Sequence, residues 1–345
     1  MWFFSRGAEL GIDLGTATVL IYEKGKGIIL KEPSVVAINK NNNSILAVGE
    51  EARKMLGRTP GNIVAVRPLK DGVISDYDVT ERMLNEFIKK ALGRRNIVAP
   101  NVVVCIPCQA TEVEKRAVID AAQNSGAKRV HIVEEPLAAA VGADIDVTKP
   151  NGVMVVDIGG GTCDVAVISL GGVVVRKSIK VAGNRFDEAI IKYIRAKYKI
   201  MIGEKTAEDL KINIATAFKD NRHVTTGVKG RNLVSGLPDE VEVSTDEIRQ
   251  ALEDAVYNIV DSVKTVLENT PPELASDIIE KGILMTGGGA LLDGLDKLIE
   301  FETGINVYLA EDSVECVVQG TGKMLSLLDK IDFSYNSQEI TLILE

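Results

Sequence analysis

Two short stretches of this 345-residue sequence place an aspartate, glycines and a threonine in the same order. GIDLGTATVLIY starts at Gly11, and VVDIGGGTCDVAVI starts at Val155. Each reads as an apolar strand, then Asp–apolar–Gly, two small residues, Thr, and a second apolar run. Asp13 corresponds to Asp157, Gly15 to Gly159 and Thr18 to Thr162, at one constant offset. Small residues in a tight turn let backbone N–H groups approach phosphate oxygens and form an anion-binding nest. On this reading Gly15, Thr16, Ala17 and Thr18 hold one end of a polyphosphate, and Gly159, Gly160, Gly161 and Thr162 hold the other. A carboxylate beside phosphates repels them unless a cation lies between, so Asp13 and Asp157 imply Mg²⁺ held through its waters. Two ordinary glycine-rich hairpins would leave the strand-terminal aspartate of each unexplained. The repeat therefore predicts two homologous lobes facing each other across a nucleoside triphosphate.

A third glycine cluster stands in GILMTGGGALLDGLDKLI. Residues 283–285 read as a strand, Gly287, Gly288 and Gly289 as a turn, and Leu291 onward as a helix. Such a turn can cradle a phosphate or let a flat base lie against backbone, and the adenosine portion is the better fit. The Lys-Ser/Thr of a P-loop and the G-x-G-x-x-G of a dinucleotide site are both missing.

The elements that carry these turns alternate between strand-like apolar runs and helix-period segments, an α/β pattern. Residues 80–92 put Met83, Leu84, Phe87, Ile88 and Ala91 on one helical face and stop at Gly93. Thr111 with Glu114, and Ser244 with Glu247, form capping boxes that open two further helices. The second buries Ile248, Leu252, Val256, Ile259, Val263 and Val266 and ends before Pro271-Pro272. The chain is 46% hydrophobic and 26% charged, ordinary for a globular protein, and its length suits about two domains. No apolar run approaches the roughly 18 residues of a membrane span. The start, MWFFSRG, lacks a signal-peptide core, which suggests a cytoplasmic protein. A net charge of −9 and 4% aromatic residues argue against nucleic-acid binding. Cys105 and Cys108 form a C-x-x-C at the end of an apolar run. With only two histidines in the chain, buried strand-end thiols fit better than a redox or zinc pair.

The three glycine motifs in this order resemble the actin, sugar-kinase and heat-shock-chaperone ATPase superfamily. Further segments narrow the resemblance. KEPSVVAI, GRTPGNIVAVRPLKDGVISDYDVTE, VEEPLAAAVGA, TAEDLKINI, TPPELASDIIEKGILMTGGGALL and AEDSVECVVQGTGK are similar to the MreB family of bacterial actin-like cell-shape proteins. The resemblance implies a two-lobed actin-like ATPase fold with duplicated core subdomains and two smaller insert subdomains. Lobe I would span 1–144 plus 320–345, with an insert at about 33–67. Lobe II would span 145–319, with an insert at about 186–242. It also implies ATP and Mg²⁺ as ligands, slow hydrolysis, self-assembly into filaments, attachment to the inner membrane surface and cell-wall elongation membrane proteins as partners.

Residue by residue, the resemblance makes Glu135, ahead of Pro136, the group that orients the attacking water, with Glu134 the alternative. Asp157 and Thr162 join it in catalysis. Glu208, Asp209, Leu210 and Lys211 form a nucleotide-contacting segment, with Glu208 and Lys211 at the ribose and base, and Gly287, Gly288, Gly289, Ala290 and Leu291 form another. The family usually reads D-L-G-T-A-N-T and G-G-G-T-T-E. This chain has Thr18 and Val19 in the first motif, and Cys163 and Asp164 in the second. Cysteine is a poorer hydrogen-bond former than threonine, so slower hydrolysis is expected, with binding retained through backbone. A sugar or metabolite kinase on the same fold is the rival reading, as is a filament with negligible hydrolysis. Trp2, Phe3, Phe4 and Arg6 suit either a membrane boundary or docking onto lobe I. Ile97 and Val98 behind Arg94 and Arg95 offer a second apolar-plus-basic site.

Overall fold

A computed structural model describes residues 7–93, 98–219 and 223–327. The N-terminal aromatics and the Arg94–Ile97 cluster expected at the membrane lie outside the described residues.

In the first lobe, β1 (Glu9–Leu14), β2 (Thr18–Glu23) and β3 (Gly27–Pro33) form an antiparallel meander. A small sheet of β4 (Val36–Asn39), β5 (Ser44–Val48) and β6 (Ile63–Val66), with the short helix α1 (Glu50–Arg53), follows as an insert. The tight hairpin β7 (Leu69–Lys70) and β8 (Val73–Ile74) returns the chain to the main body. Helix α2 (Tyr77–Leu92) starts three residues earlier than its apolar stripe suggests, because the Asp76 side chain accepts from the Val79 amide and caps it. Then come β9 (Asn101–Ile106), α3 (Glu112–Asn124), β10 (Arg129–Glu134) and α4 (Glu135–Gly142). Both β9 and β10 run parallel, giving the order β10-β9-β1-β2-β3.

The second lobe repeats this plan. Its strands are β11 (Val153–Ile158), β12 (Cys163–Ser169) and β13 (Gly172–Ile179). Its insert carries α5 (Gly183–Tyr198), β14 (Ile200–Met201), α6 (Glu204–Ile214), β15 (Thr225–Asn232) and β16 (Pro238–Ser244). Then follow α7 (Thr245–Glu268), α8 (Pro272–Lys281), β17 (Ile283–Thr286), α9 (Leu295–Thr303) and β18 (Val307–Leu309), after which α10 (Cys316–Leu327) returns to pack on the first lobe's sheet. The order β13-β12-β11-β17-β18 matches the first sheet strand for strand, with the same antiparallel and parallel pairings.

Both expected capping boxes are formed, and all six apolar residues expected on the inner face of α7 are buried. Pro272 opens α8 instead of merely ending α7. The helix expected from Leu291 begins only at Leu295. A 3₁₀ turn spans Gly288–Leu291, and Gly294 then adopts φ 72°, so the helical run cannot start earlier.

Each lobe has its own apolar core, and a third cluster joins them. Val103, Val133 and Leu137 from the first lobe meet Val155, Ile168 and Leu284 from the second. Helices α4 and α10 cross within this joint, and small residues let them do so. A β-carbon on Gly142 would strike the Cys316 carbonyl, and one on Gly320 would strike the Ala138 carbonyl. Lys323 then caps the end of α4, donating to Gly142 O (2.8 Å), Val141 O (3.3 Å) and Asp144 Oδ1 (2.8 Å).

Candidate functional site

The two Asp–apolar–Gly turns sit at the same place in the two sheets, and they face each other. In the first, Ser34 anchors the backbone, its hydroxyl donating to Gly15 O (2.5 Å) and its amide to Ala17 O (3.0 Å). In the second, the turn closes on itself through Gly159 N to Thr162 O (2.9 Å). The start of α5 then binds its outer side, with Gly183 N donating to Gly159 O (3.2 Å) and Asn184 N to Gly160 O (2.8 Å). At Gly160 and Gly161 the lobes approach closely. A β-carbon on Gly160 would lie 2.6 Å from Ala17 Cβ, and one on Gly161 would lie 3.0 Å from Asp71 Cα. The second turn needs glycine partly because the first turn is its neighbour.

Between the lobes lies a cleft of about 650 Å³. Its walls include residues 15–18 and 159–162, Asp13, Glu135, Asp157, Glu208, Lys211, residues 287–289 and Leu291. Three expected residues are not on its walls: Asp209 is exposed, while Leu210 and Ala290 are buried. The third glycine cluster has a second task. Gly287 has φ 85°, and a β-carbon there would come within 2.9 Å of Asp157 Oδ1. That turn packs on the second phosphate-type turn, while Gly288 remains open to the cleft.

The carboxylates at the turn end stand close enough to perturb one another. Burial, then the charge of Asp157, pushes the Asp13 carboxyl up to about 7. Burial also raises Asp157, to about 6. A hydrogen bond from Thr286 Oγ1 (2.7 Å) opposes the rise, and the charge of Asp164 adds to it. Glu135, at the first position of α4, is held well above the usual carboxylate range by burial and then by Asp164, Asp157 and Asp13. Like charges gathered without a basic side chain among these causes are what a bound cation would relieve. Glu134 is turned elsewhere, its Oε1 accepting from Arg176 of β13. Consecutive residues at a strand end point to opposite sides, so only one of the two glutamates reaches the cleft wall.

Cys163 corrects an expectation. It is fully buried in the apolar core of the second lobe beside Val165 and Ile158, not on the cleft wall. Its thiol therefore has no bearing on the water-positioning role considered for it, and slower hydrolysis does not follow from it. Cys105 and Cys108 are buried and free, and burial raises both thiols.

Sequence reasoning missed the β7–β8 tip. Asp71 has φ 51° and Gly72 φ 78°, and Gly72 N donates to Thr16 Oγ1 (3.0 Å). Asp71 and Gly72 line the cleft at the junction of the two turns. The left-handed Asp-Gly pair was a readable signal for a tight hairpin, but nothing local said where it would dock. Asp164, fully buried, is the other omission: its Oδ1 accepts from Cys108 N (2.8 Å), tying β12 of one lobe to the loop after β9 of the other.

A sheet plan repeated about a cleft, with a phosphate-type turn in each copy, defines the actin-like class of nucleotide-binding folds. The solved structure of MreB 5 of Spiroplasma citri bound to AMPPNP superposes with TM-score 0.88 at 42% identity, covering 94% of this chain and 98% of that one. A structure of a MamK double helical filament shares the fold at TM-score 0.79 and 23% identity, covering 92% of this chain and 98% of that one. Residues 7–333 match the family model described as MreB/Mbl protein, and the chain belongs to that family. The cell shape-determining protein Mbl of Bacillus subtilis is 54% identical over 323 residues, covering 94% of this chain and 97% of that protein. The cell shape-determining protein MreB of Escherichia coli K12 is 52% identical over 326 residues, covering 93% and 94% respectively.

Proposed function

We propose that this chain is a cell-shape cytoskeletal protein that binds and slowly hydrolyses ATP in the cleft and assembles into filaments. The observation that carries the reading is the pair of facing turns with Asp13, Asp157 and Glu135 between them. Support also comes from two solved Spiroplasma citri relatives at 42% identity, one bound to AMPPNP and one to ADP.

The turns present backbone to the phosphates from both lobes, so triphosphate binding draws the lobes together. Among the described residues no three ligating side chains gather into a metal site. Asp13 and Asp157 are the residues that would hold Mg²⁺, through its waters. When bound, that ion neutralises charge on the transferring phosphoryl group. Glu135 orients a water in line with the terminal phosphate and accepts its proton, a role its place on the cleft wall suits. Thr162 closes the same end. Glu208 and Lys211 face the nucleoside, where Lys211 is itself oriented by Asp187 (2.9 Å) and Gly183 O (3.1 Å).

The two lobes follow the sheets, residues 1–144 with the C-terminal segment and residues 145–319. Helix α10 packs on β1, β2, β3 and β9 of the first lobe's sheet, so a division just before Cys316 suits the packing better than one at 320. Attachment to the inner membrane surface and contact with cell-wall elongation proteins belong to the same proposal, on family grounds.

Sedimentation with ATP, ADP or no nucleotide, with and without anionic liposomes, and with phosphate release followed in parallel, tests this reading. ATP-dependent pelleting with slow phosphate release is expected. Phosphate transfer to a sugar without pelleting would favour a kinase instead.

A further inference from the structure

Away from the turns, the lobes meet again at the opposite rim of the cleft, through charge. Arg53, at the end of α1, donates through Nη2 to Glu208 Oε2 of α6 (3.0 Å). Arg67, just after β6, lies with its Nη2 3.5 Å from Glu204 Oε2, one turn earlier on α6. All four side chains line the cleft. Each pair joins the insert of one lobe to the insert of the other. Arg53 is held in place for this. Glu32 accepts from the Glu50 amide (2.8 Å), the Arg53 amide donates to Gly49 O (2.9 Å), and Glu50 stands 3.8 Å from the Arg53 guanidinium.

We propose that Arg53 and Arg67 are positioning residues for nucleotide retention, lent by the first lobe to hold α6 closed over the bound nucleoside. This rests on the nucleotide reading above and goes beyond it, because neither arginine belongs to a phosphate or nucleoside motif. The two pairs play different parts. Arg67–Glu204 joins protein to protein only, so it governs opening and closing. Arg53–Glu208 also engages the carboxylate that faces the nucleoside, so it links closure to the presence of that ligand. Arginine suits the place because its planar fork keeps one geometry on a carboxylate, where a lysine would wander.

All four groups are reached by water, with side-chain exposures of 43% and 35% for Arg53 and Glu208, and 29% and 70% for Arg67 and Glu204. The clamp is accordingly weak and open to screening, as a rim that must let nucleotide in and out requires.

Stopped-flow entry and exit of fluorescent ADP and ATP on the full chain test the proposal. In wild type both rates should rise between about 0.01 M and 1 M salt, as the Debye length shrinks from about 30 Å to about 3 Å. R67A should speed entry and exit together, by about two- to fivefold, and leave Kd nearly unchanged. R67E should speed them further, and the swap R67E/E204R should restore the wild-type rates. R53A should raise exit more than entry. Melting curves on the same samples report folding. Unchanged rates in R67A, or a swap that restores nothing, would overturn the proposal. So would faster exit alone in R67A, since that would mean direct contact with ligand. Wild-type protein that binds no nucleotide at all would remove the underlying reading and this inference with it.

Discussion

At the phosphate-turn end the two lobes touch through buried groups, whereas at the rim they touch through side chains that water reaches. That end includes the Asp164–Cys108 hydrogen bond and the shared cluster of Leu137 with Val155 and Ile168, together with the half-buried approach of Gly160 to Ala17. The rim has two exposed ion pairs. Backbone contacts and buried hydrogen bonds are costly to break, and exposed ion pairs are cheap. One fold thus holds one end of its cleft fixed and leaves the other to open, which is what repeated binding and release of a ligand demands.

The largest expected effect falls on α4, the first-lobe helix that packs against the fixed end. Gly142→Val drives a side chain into the Cys316 backbone, which cannot move aside as a flexible side chain would. A loss of about 3 kcal/mol or more is expected in denaturant unfolding, at the top of the overpacking range. Stability equal to wild type would show that the crossing yields and that α4 is not held rigidly beside the fixed end.

Glu135→Ala leaves both ends intact and removes only the carboxylate proposed as the base. Hydrolysis should fall on the order of 10²-fold with ATP affinity near wild type, read by phosphate release and equilibrium binding. Unimpaired turnover would move the role elsewhere in the carboxylate cluster.

Asp164→Ala should cost about 1–3 kcal/mol by leaving the buried Cys108 amide unpaired. Asp164→Asn keeps an acceptor and should cost less. Equal melting temperatures for the two variants would deny the hydrogen bond its part in joining the lobes.

Cys163→Thr puts a hydroxyl into the second lobe's apolar core. It should lower stability by about 1 kcal/mol and leave hydrolysis unchanged. A change in turnover with no change in melting would return Cys163 to the reaction.

The smallest effect serves as a reference remote from both ends. Burial alone would raise Glu247, but hydrogen bonds from Lys197, Tyr198 and Ser244 outweigh it and pull the carboxyl down to about 2. Its folded pKa lies below the ordinary 4.5, so its contribution is present above about pH 4.5 and fades as pH falls toward 2. Melting temperature followed down through that window should drop less steeply in Glu247→Gln than in wild type. Parallel curves would remove this linkage.

Much of this was readable in the residues. The doubled Asp–apolar–Gly turn announced two like halves, because a hairpin that approaches phosphate needs small residues at fixed places. The capping boxes at Thr111 and Ser244 marked their helices because both partners lie within four residues. What stayed hidden is what depends on distant pairing. The strands on either side of Asp71-Gly72 have two residues each, too few to show a period. Arg53 and Arg67 look like any surface arginine until α6, well over a hundred residues later, is brought opposite them. Cys163 turns into the core where Thr162 meets the cleft, because neighbouring positions at a strand end face opposite ways.

The glycine crossing of α4 and α10 has one more consequence. With backbone set against backbone at Gly142 and Gly320, neither position has room for a side chain, so the two helices pack as one unit within the first lobe. Helix α4 also packs on β11 and β12 of the second lobe. A push on α10 is therefore passed through α4 to the joint between the lobes, and the last described segment of the chain is tied to a place far from it in sequence.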